Sequence, residues 1–348
     1  MRSNKISKVI RILTFHSAYS YGAVLQTYAL YKFLSDRYTD VKVIDFRPSF
    51  FTLRWVWNRP KTWFLCFQFR FRNMKIKYTK EVSAEDLRMS TPIADTYVIG
   101  SDQVWNPDIT QSIQDIYFGD FIPRTIKKIS YAASFGRSSF LDSEIQKMRL
   151  LIHDFAAISV REESAVSLCR QVLGLDATCV LDPTFLIDDY THLFHAKKIK
   201  NELGVFVLDN NSDEVFNVAL MIAQKMLLHP KILNKNRPLK GFKIIPYPSI
   251  SRFLKEIYNS RFIITNSFHG LVFSIIFNKQ FVFVSTNHKN ETRAQSILEK
   301  LELKDRLFYS YEALAQSNIW DNDIDYSAVN SQLAKLRMQS ISFLEDYL

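Results

Sequence analysis

The sequence predicts an α/β chain built as two Rossmann-like domains that face each other across a cleft. Three observations lead there. A length of 348 residues suits about two domains. Short β-branched runs alternate with helical stretches, the pattern of a parallel sheet covered on both faces. A polar stretch, Asp188 to Glu202, then interrupts the alternation before it restarts. This places an N-terminal domain at 1–188 and a C-terminal domain at 189–348, the latter closing in a helical tail.

In the first domain, Lys8 to Phe15 reads as a strand and His16 to Tyr21 as a polar-aromatic turn. Gly22 to Asp36 reads as a helix carrying Val24, Leu25, Tyr28, Leu30 and Leu34, and Val41 to Asp45 as the next strand. Thr96 to Gly100, Lys128 to Ser134, Ala156 to Val160 and Thr178 to Leu181 are short buried strands. Helices at Asp142–His153 and Glu162–Leu173 separate the last three. In the second domain the strands are Gly204–Leu208, Phe242–Ile245, Arg261–Thr265 and Phe281–Ser285. The helices are Glu214–Leu228, Ser249–Asn259 and Gly270–Phe277.

Composition narrows the function classes. A hydrophobic fraction of 47% and a charged fraction of 23% are those of a globular chain, which excludes disorder, collagen and a disulfide mini-scaffold. Cys66, Cys169 and Cys179 form no CxxC, so the expected setting is a reducing, cytoplasmic one. No apolar run reaches the ~18 residues of a membrane span, and the run Val9–Leu13 is interrupted by Arg11, a first strand rather than a signal peptide. The net charge of +10 favours anionic partners: phosphorylated metabolites, nucleic acid or an anionic membrane surface.

The insertion at about 47–80 stands apart. From Phe46 to Lys80 there is no Asp or Glu, but nine Lys and Arg and three of the five Trp, namely Trp55, Trp57 and Trp63. Two readings stay open: a subdomain packed on the first sheet, or a peripheral contact with the membrane. No nucleic-acid module accompanies it, so nucleic acid is not an expected partner.

Glycine is scarce, with 8 in the chain, and four lie at polar strand-to-helix turns around Gly22, Gly100, Gly136 and Gly270. Such turns let a backbone approach a ligand, and the helix that follows favours an anion. His269 opens an apolar helix, so it is the candidate proton donor or else a capping residue; Asn266, Ser267 and Gly270 beside it are candidate ligands. Arg161 ends a strand, where its fork suits a phosphate or carboxylate, or pairs with the adjacent Glu162 and Glu163. Asp102 suits a sugar hydroxyl or a helix cap, and Ser101, Gln103, Trp105 and Asn106 suit carbohydrate contact. Ser134 belongs to the third turn, and Gly22 to the first. Arg293 is a candidate second anion ligand, and Asp182 reads as structural. There is no GxGxxG, P-loop, HExxH or GxSxG, which weakens dehydrogenase, kinase, zincin and hydrolase readings.

Taken in order, Tyr21–Gln26, Val98–Asn106, Tyr131–Gly136, Ile158–Ser164, Val180–Thr184 and Ile264–Gly270 resemble the polysaccharide pyruvyl transferase family. The resemblance implies a GT-B-like fold. It also implies transfer of an enolpyruvyl-derived group from phosphoenolpyruvate to a sugar, giving a pyruvate ketal and phosphate. His269 matches the family's catalytic His and Arg161 its strand-end Arg. Where other branches carry Arg-Leu before the His, this chain has Ser267-Phe268. The donor's charge must then be met by Arg161, Arg293 or a lysine. The scheme calls for no cofactor and no metal. It fits a surface or exopolysaccharide precursor, lipid-linked at the inner face of a membrane. Two rivals remain: a sugar-nucleotide glycosyltransferase on the same plan, and a non-catalytic polyanion-binding or envelope-assembly protein.

Overall fold

A computed structural model describes residues 5–17, 20–48, 75–137, 139–196, 199–208, 213–236, 238–285 and 291–348. The described residues up to Ile187 form one compact unit together with Lys335–Leu348, and Asp188–Ala334 form another. Most of the basic-aromatic insertion, with Arg54, Arg70, Arg72, its three Trp and Cys66, lies outside the described residues.

The first unit holds β1 (Ile6–Leu13), β2 (Tyr38–Phe46), β3 (Tyr78–Val82), β4 (Thr96–Ile99) and β5 (Lys127–Ser130) in a parallel sheet of order β3-β2-β1-β4-β5. Short β6 (Ser159–Val160) and β7 (Thr178–Cys179) pair with each other. They continue from β5 through bonds such as Arg161 N–H to the Ala133 carbonyl, 3.1 Å. The strands are apolar on both faces because both are covered. Ile10, Ile12, Val43, Val98 and Ile129 pack to one side, and Leu13, Ile44, Tyr97 and Ile99 to the other. Each large apolar side chain buried in these two layers contributes ~1.5–3 kcal/mol to holding the sheet in place.

Helix α1 (Tyr21–Arg37) starts at Ser20, whose Oγ accepts from Ala23 N–H at 3.1 Å. The helix is buried along most of its length. Helices α2 (Asp142–Ile152) and α3 (Glu163–Leu168) cover the far strands. The helix expected over Glu162–Leu173 changes to a π-turn at Cys169–Leu173 and stops at Gly174, φ +72°.

The second unit is a parallel sheet of β8 (Glu202–Phe206), β9 (His229–Leu233), β10 (Lys243–Ile245), β11 (Phe262–Thr265), β12 (Gln280–Val284) and β13 (Leu307–Phe308). Its order is β10-β9-β8-β11-β12-β13. Helices α4 (Asp213–Lys225), α5 (Ile250–Asn259), α6 (Phe268–Ile276) and α7 (Glu291–Lys300) connect the strands, and α8 (Tyr326–Tyr347) ends the chain.

Two expectations need correction. The sequence patterns do not show β3, β9 or β13. β3 is an edge strand of mostly half-exposed or exposed residues, and β9 begins His-Pro-Lys. Lys231 is nevertheless fully buried there, because Glu202 and Glu256 each place a carboxylate oxygen 2.8 Å from its Nζ. The tail also does not close the second domain. From Lys335 on it belongs to the first unit, where Ser340 Oγ accepts from Leu181 N–H at 2.9 Å and Arg337 Nε donates to the Phe185 carbonyl at 2.6 Å.

Candidate active site

Ligands of open parallel sheets bind beyond the carboxyl ends of the strands, where strand order reverses. In the first unit that point lies between β1 and β4. Thr14, just past β1, donates its hydroxyl to the Ser101 carbonyl at 2.8 Å and accepts from Gln26 Nε2 at 3.0 Å. This ties the two strand ends to α1. Gly22 sits buried in the first turn of α1.

The segment after β4 divides into structural and open residues. Ser101 is fully buried, and its Oγ donates to the Ala132 carbonyl at 3.0 Å. Trp105, expected at the ligand edge, is instead core: it is fully buried, stacked on Phe118 with centroids 5.1 Å apart, and its indole N–H donates to the Tyr117 carbonyl at 3.1 Å. Asn106 caps the turn Pro107–Thr110 by accepting from Asp108 N–H at 3.0 Å, and it donates to Gln103 Oε1 at 2.7 Å. That pair closes over Gly136, where φ is +73° and a Cβ would lie 2.2 Å from Gln103 Oε1. Ser134 is fully buried and donates to Glu162 Oε1 at 2.7 Å. Asp102 remains partly open, its side chain 14% exposed, on a backbone with φ +77°.

Arg161 is at the strand end, as expected, but inside a cluster of carboxylates. Its NH1 donates to Asp182 Oδ2 at 2.6 Å and its NH2 to Asp102 Oδ1 at 3.3 Å. Asp182 is fully buried and also accepts from Thr184 N–H and Oγ1 at 3.0 and 2.6 Å. Burial opposes the charge of Arg161, but Asp182 and Asp102 outweigh it and raise the guanidinium pKa above its ordinary value. Counting Glu162, three carboxylates surround one guanidinium here.

A second polar cluster was not among the sequence candidates. His16 is 1% exposed, with Nε2 2.8 Å from Asp45 Oδ1 and Nδ1 3.2 Å from the Thr14 carbonyl. Both ring nitrogens thus face an oxygen. Arg47 forks onto the same carboxylate at 2.8 and 2.7 Å. Burial works to raise the Asp45 pKa, but His16 and Arg47 win and hold it well below the usual carboxylate range. The only local signal was a His in a polar turn. Its partner is 29 residues away.

In the second unit the reversal lies between β8 and β11. Asn266 Oδ1 accepts from Leu208 N–H at 2.8 Å, which joins the two strand ends. Ser267 caps α6 by accepting from Gly270 N–H at 3.4 Å. His269 follows in the first turn of α6, 9% exposed, with Phe268 edge-on at 5.2 Å. Arg293, 4% exposed in the first turn of α7, lies over the same ring: its guanidinium carbon is 5.3 Å from the Phe268 centroid. Phe268 thus contacts both His269 and Arg293. Gly270 is required by a close approach, since a Cβ would meet Thr265 Oγ1 at 2.4 Å.

Among the described residues no group of three or more His, Cys, Asp or Glu could hold a metal ion, and no helix is long and apolar enough to cross a membrane.

The family model for polysaccharide pyruvyl transferase matches residues 21–288, most of the chain. The chain belongs to this family. No curated protein matches it. Among solved structures, the polysaccharide pyruvyl transferase chain is similar to UDP-N-acetylglucosamine 2-epimerase from Rickettsia bellii, at 12% identity and a TM-score of 0.53 over 99% of this chain and 98% of that one. The UDP-GlcNAc 2-epimerase of Methanocaldococcus jannaschii gives 13%, 0.55, 90% and 92%. UGT89C1 of Arabidopsis thaliana, complexed with UDP-L-rhamnose, gives 10%, 0.54, 98% and 95%. These likenesses show the GT-B fold, two Rossmann-like domains. The family is one of transferases.

Proposed function

We propose that the chain transfers the enolpyruvyl-derived group of phosphoenolpyruvate to two hydroxyls of one sugar in a polysaccharide precursor, with His269 as the general acid. The observation that carries this is the placement of His269: it stands in the first turn of α6 at the strand-order reversal of the second unit, next to Phe268, whose ring Arg293 also contacts.

The chemistry needs an acid that is charged when an anion is bound. A helix N-terminus disfavours imidazolium, but a phosphate dianion beside it favours the proton. His269 gives its proton to the methylene carbon of phosphoenolpyruvate, and the electron pair of the double bond forms the new C–H bond. C2 becomes cationic, stabilised by its oxygen. One sugar hydroxyl adds at C2 and gives its proton to the imidazole of His269, now deprotonated. Phosphate then leaves with the C–O pair, and the second hydroxyl closes the ketal, its proton passing to the departing phosphate. No step calls for a metal. Asp102, partly open on its strained backbone, is assigned to orienting a hydroxyl. Arg161, engaged by Asp182 and Asp102, is assigned to positioning that carboxylate rather than to the donor's anion.

A lipid-linked acceptor at the inner face of the membrane belongs to the same proposal. It rests on the basic and aromatic sequence at 47–80.

The test is phosphate release from phosphoenolpyruvate in the presence of a sugar acceptor. His269→Ala should abolish it while leaving the thermal melt nearly unchanged, and an active variant rejects the acid. Calorimetry with phosphoenolpyruvate, a nucleotide sugar and an oligonucleotide separates the rivals. Binding of the nucleotide sugar alone favours glycosyl transfer. Salt-sensitive oligonucleotide binding that survives His269→Ala favours a polyanion-binding protein.

A further inference from the structure

The proposed reaction brings a phosphate ester dianion to His269, and the first unit's strand-end arginine does not suit it. Three carboxylates, Asp102, Asp182 and Glu162, surround Arg161, and two of them take its NH1 and NH2. An added dianion there meets net negative charge.

The second unit brings a different set of groups to the carboxyl edge of its sheet. Ser285 is the first residue beyond β12, 3% exposed, with its N–H donated to the Phe308 carbonyl at 2.8 Å. Its Oγ is buried and has no hydrogen-bond partner among the described residues. A buried hydroxyl in that state is uncommon and calls for an explanation. Its location supplies one. The parallel register pairs Thr265 of β11 with Phe283 of β12. Ser285 and Ser267, the cap of α6, each lie two residues beyond that pair, at the same carboxyl edge of the sheet. Arg293 enters the same edge from α7, nearly buried, and its guanidinium is oriented by the Phe268 ring. The three features are complementary. A planar fork, a hydroxyl donor and the N-terminus of the nine-residue α6 are what a tetrahedral oxyanion binds. All of them come from one unit and one end of one sheet.

We infer that Ser285 and Arg293 form the seat of the donor's phosphoryl group beside His269. Only the naming of the donor rests on the preceding section; the seat is defined by a phosphoryl group of any small donor. Ser285 donates its hydroxyl to a phosphoryl oxygen, Arg293 offsets the charge, and the dianion so held keeps the neighbouring imidazole protonated. Arg293 thereby takes the place of the basic residue that this chain lacks before His269, where it carries Ser267-Phe268.

The experiment is calorimetric titration of the full chain with inorganic phosphate, phosphoenolpyruvate and pyruvate. The proteins are wild type, Ser285→Ala, Arg293→Gln and Arg293→Lys, each checked for a cooperative melt. Inorganic phosphate and phosphoenolpyruvate should bind about 3- to 10-fold more weakly to Ser285→Ala. Arg293→Gln should weaken both by ten-fold or more, and Arg293→Lys should recover part of that. Pyruvate, which has the carboxylate but no phosphoryl group, should feel neither change. If Arg293→Gln does not fold, Ser285→Ala decides. Unchanged phosphate affinity in the folded variants overturns the seat, as does a wild type that binds no phosphate, or a loss confined to pyruvate. The two proposals fail separately. Phosphate binding that weakens as expected beside a wild type indifferent to phosphoenolpyruvate leaves the seat and removes the donor. Turnover of phosphoenolpyruvate with an unchanged KM in Ser285→Ala leaves the donor and removes the seat.

Discussion

Replacing Asp182 by Asn should unfold the first unit far more readily than any surface change, and the structure sets the size of the effect. The Arg161 side chain is 2% exposed and that of Asp182 is not exposed at all, with 2.6 Å between NH1 and Oδ2. Removing one charge of such a pair leaves the other buried and uncompensated, at a cost of about 3–5 kcal/mol. Arg161 keeps a contact to Asp102, but at 3.3 Å and on a carboxylate with partial access to water, so the lower end of that range applies. For a unit of this size each kcal/mol moves the melting point by roughly 2–4 °C, which gives a fall of about 6–12 °C. Calorimetric scanning at neutral pH, with urea denaturation as a check, reads it directly. Arg161→Met should cost a similar amount, softened because Thr184 still donates two hydrogen bonds to Asp182. The double variant Arg161→Met/Asp182→Leu should recover most of the loss, since neither partner is then stranded. A single variant within about 0.5 kcal/mol of wild type, or a double variant as unstable as the sum of the singles, refutes the view that these groups are a closed internal pair.

Trp105→Ala should destabilise by about 3–5 kcal/mol through cavity formation, whereas Trp105→Phe should leave KM for the sugar acceptor unchanged in a phosphate-release assay. A large KM effect in a stable Trp105→Phe would return the indole to the ligand edge. Gly270→Ala should cost about 1–3 kcal/mol by overpacking, less the ~1 kcal/mol helix preference of Ala, and Thr265→Ala should relieve it in a double-mutant melt because Thr265 Oγ1 is the atom struck. Lys279, nearly buried over the Tyr258 ring, is pushed down from 10.5 to about 8 by burial and by the charge of Lys231. The folded chain therefore holds this proton more weakly than the unfolded chain. The penalty is complete below about pH 8 and fades as pH rises towards 10.5. Lys279→Met should stabilise at pH 7 by about 1–2 kcal/mol, after allowing for partial solvent screening and the lost ring contact, and the gain should shrink in melts at pH 10.

What the sequence made legible was local. The strand and helix alternation placed β1, α1, β11 and α6 because hydrophobic periodicity is written in consecutive residues. His269 fell at a helix start for the same reason. The misplacement of Trp105 has a physical cause too: an aromatic in a Gly-Ser-Asp-Gln turn has the same local sequence whether it faces a sugar or, as here, stacks on Phe118. The partners of Arg161 lie 59 residues before it and 21 after it, and no periodicity reports such distances. His16 was passed over because Asp45 is on a different strand. The tail read correctly as helical, but a helix pattern does not name the surface it covers. That is settled by Ser340 and Arg337, which meet backbone groups 159 and 152 residues earlier.

The chain's +10 charge had suggested an anion at either strand edge, and the two edges turn out to differ. In the first unit two clusters are paired internally: Arg161 with Asp182 and Asp102, and His16 and Arg47 with Asp45. A pair closed in this way holds a loop in place but adds little field for a ligand, because each charge is offset within 3.5 Å. What such an edge leaves open is a carboxylate, Asp102, and carboxylates suit hydroxyl groups. In the second unit the end of β12 carries a buried hydroxyl with no partner among the described residues, beside an arginine that rests on an aromatic face. Formal charge alone therefore does not locate an anion site. Where a buried charge is already offset, as at Arg161, the pair's geometry decides what the edge can bind, and in the second unit the group that raises the same question is the Ser285 hydroxyl.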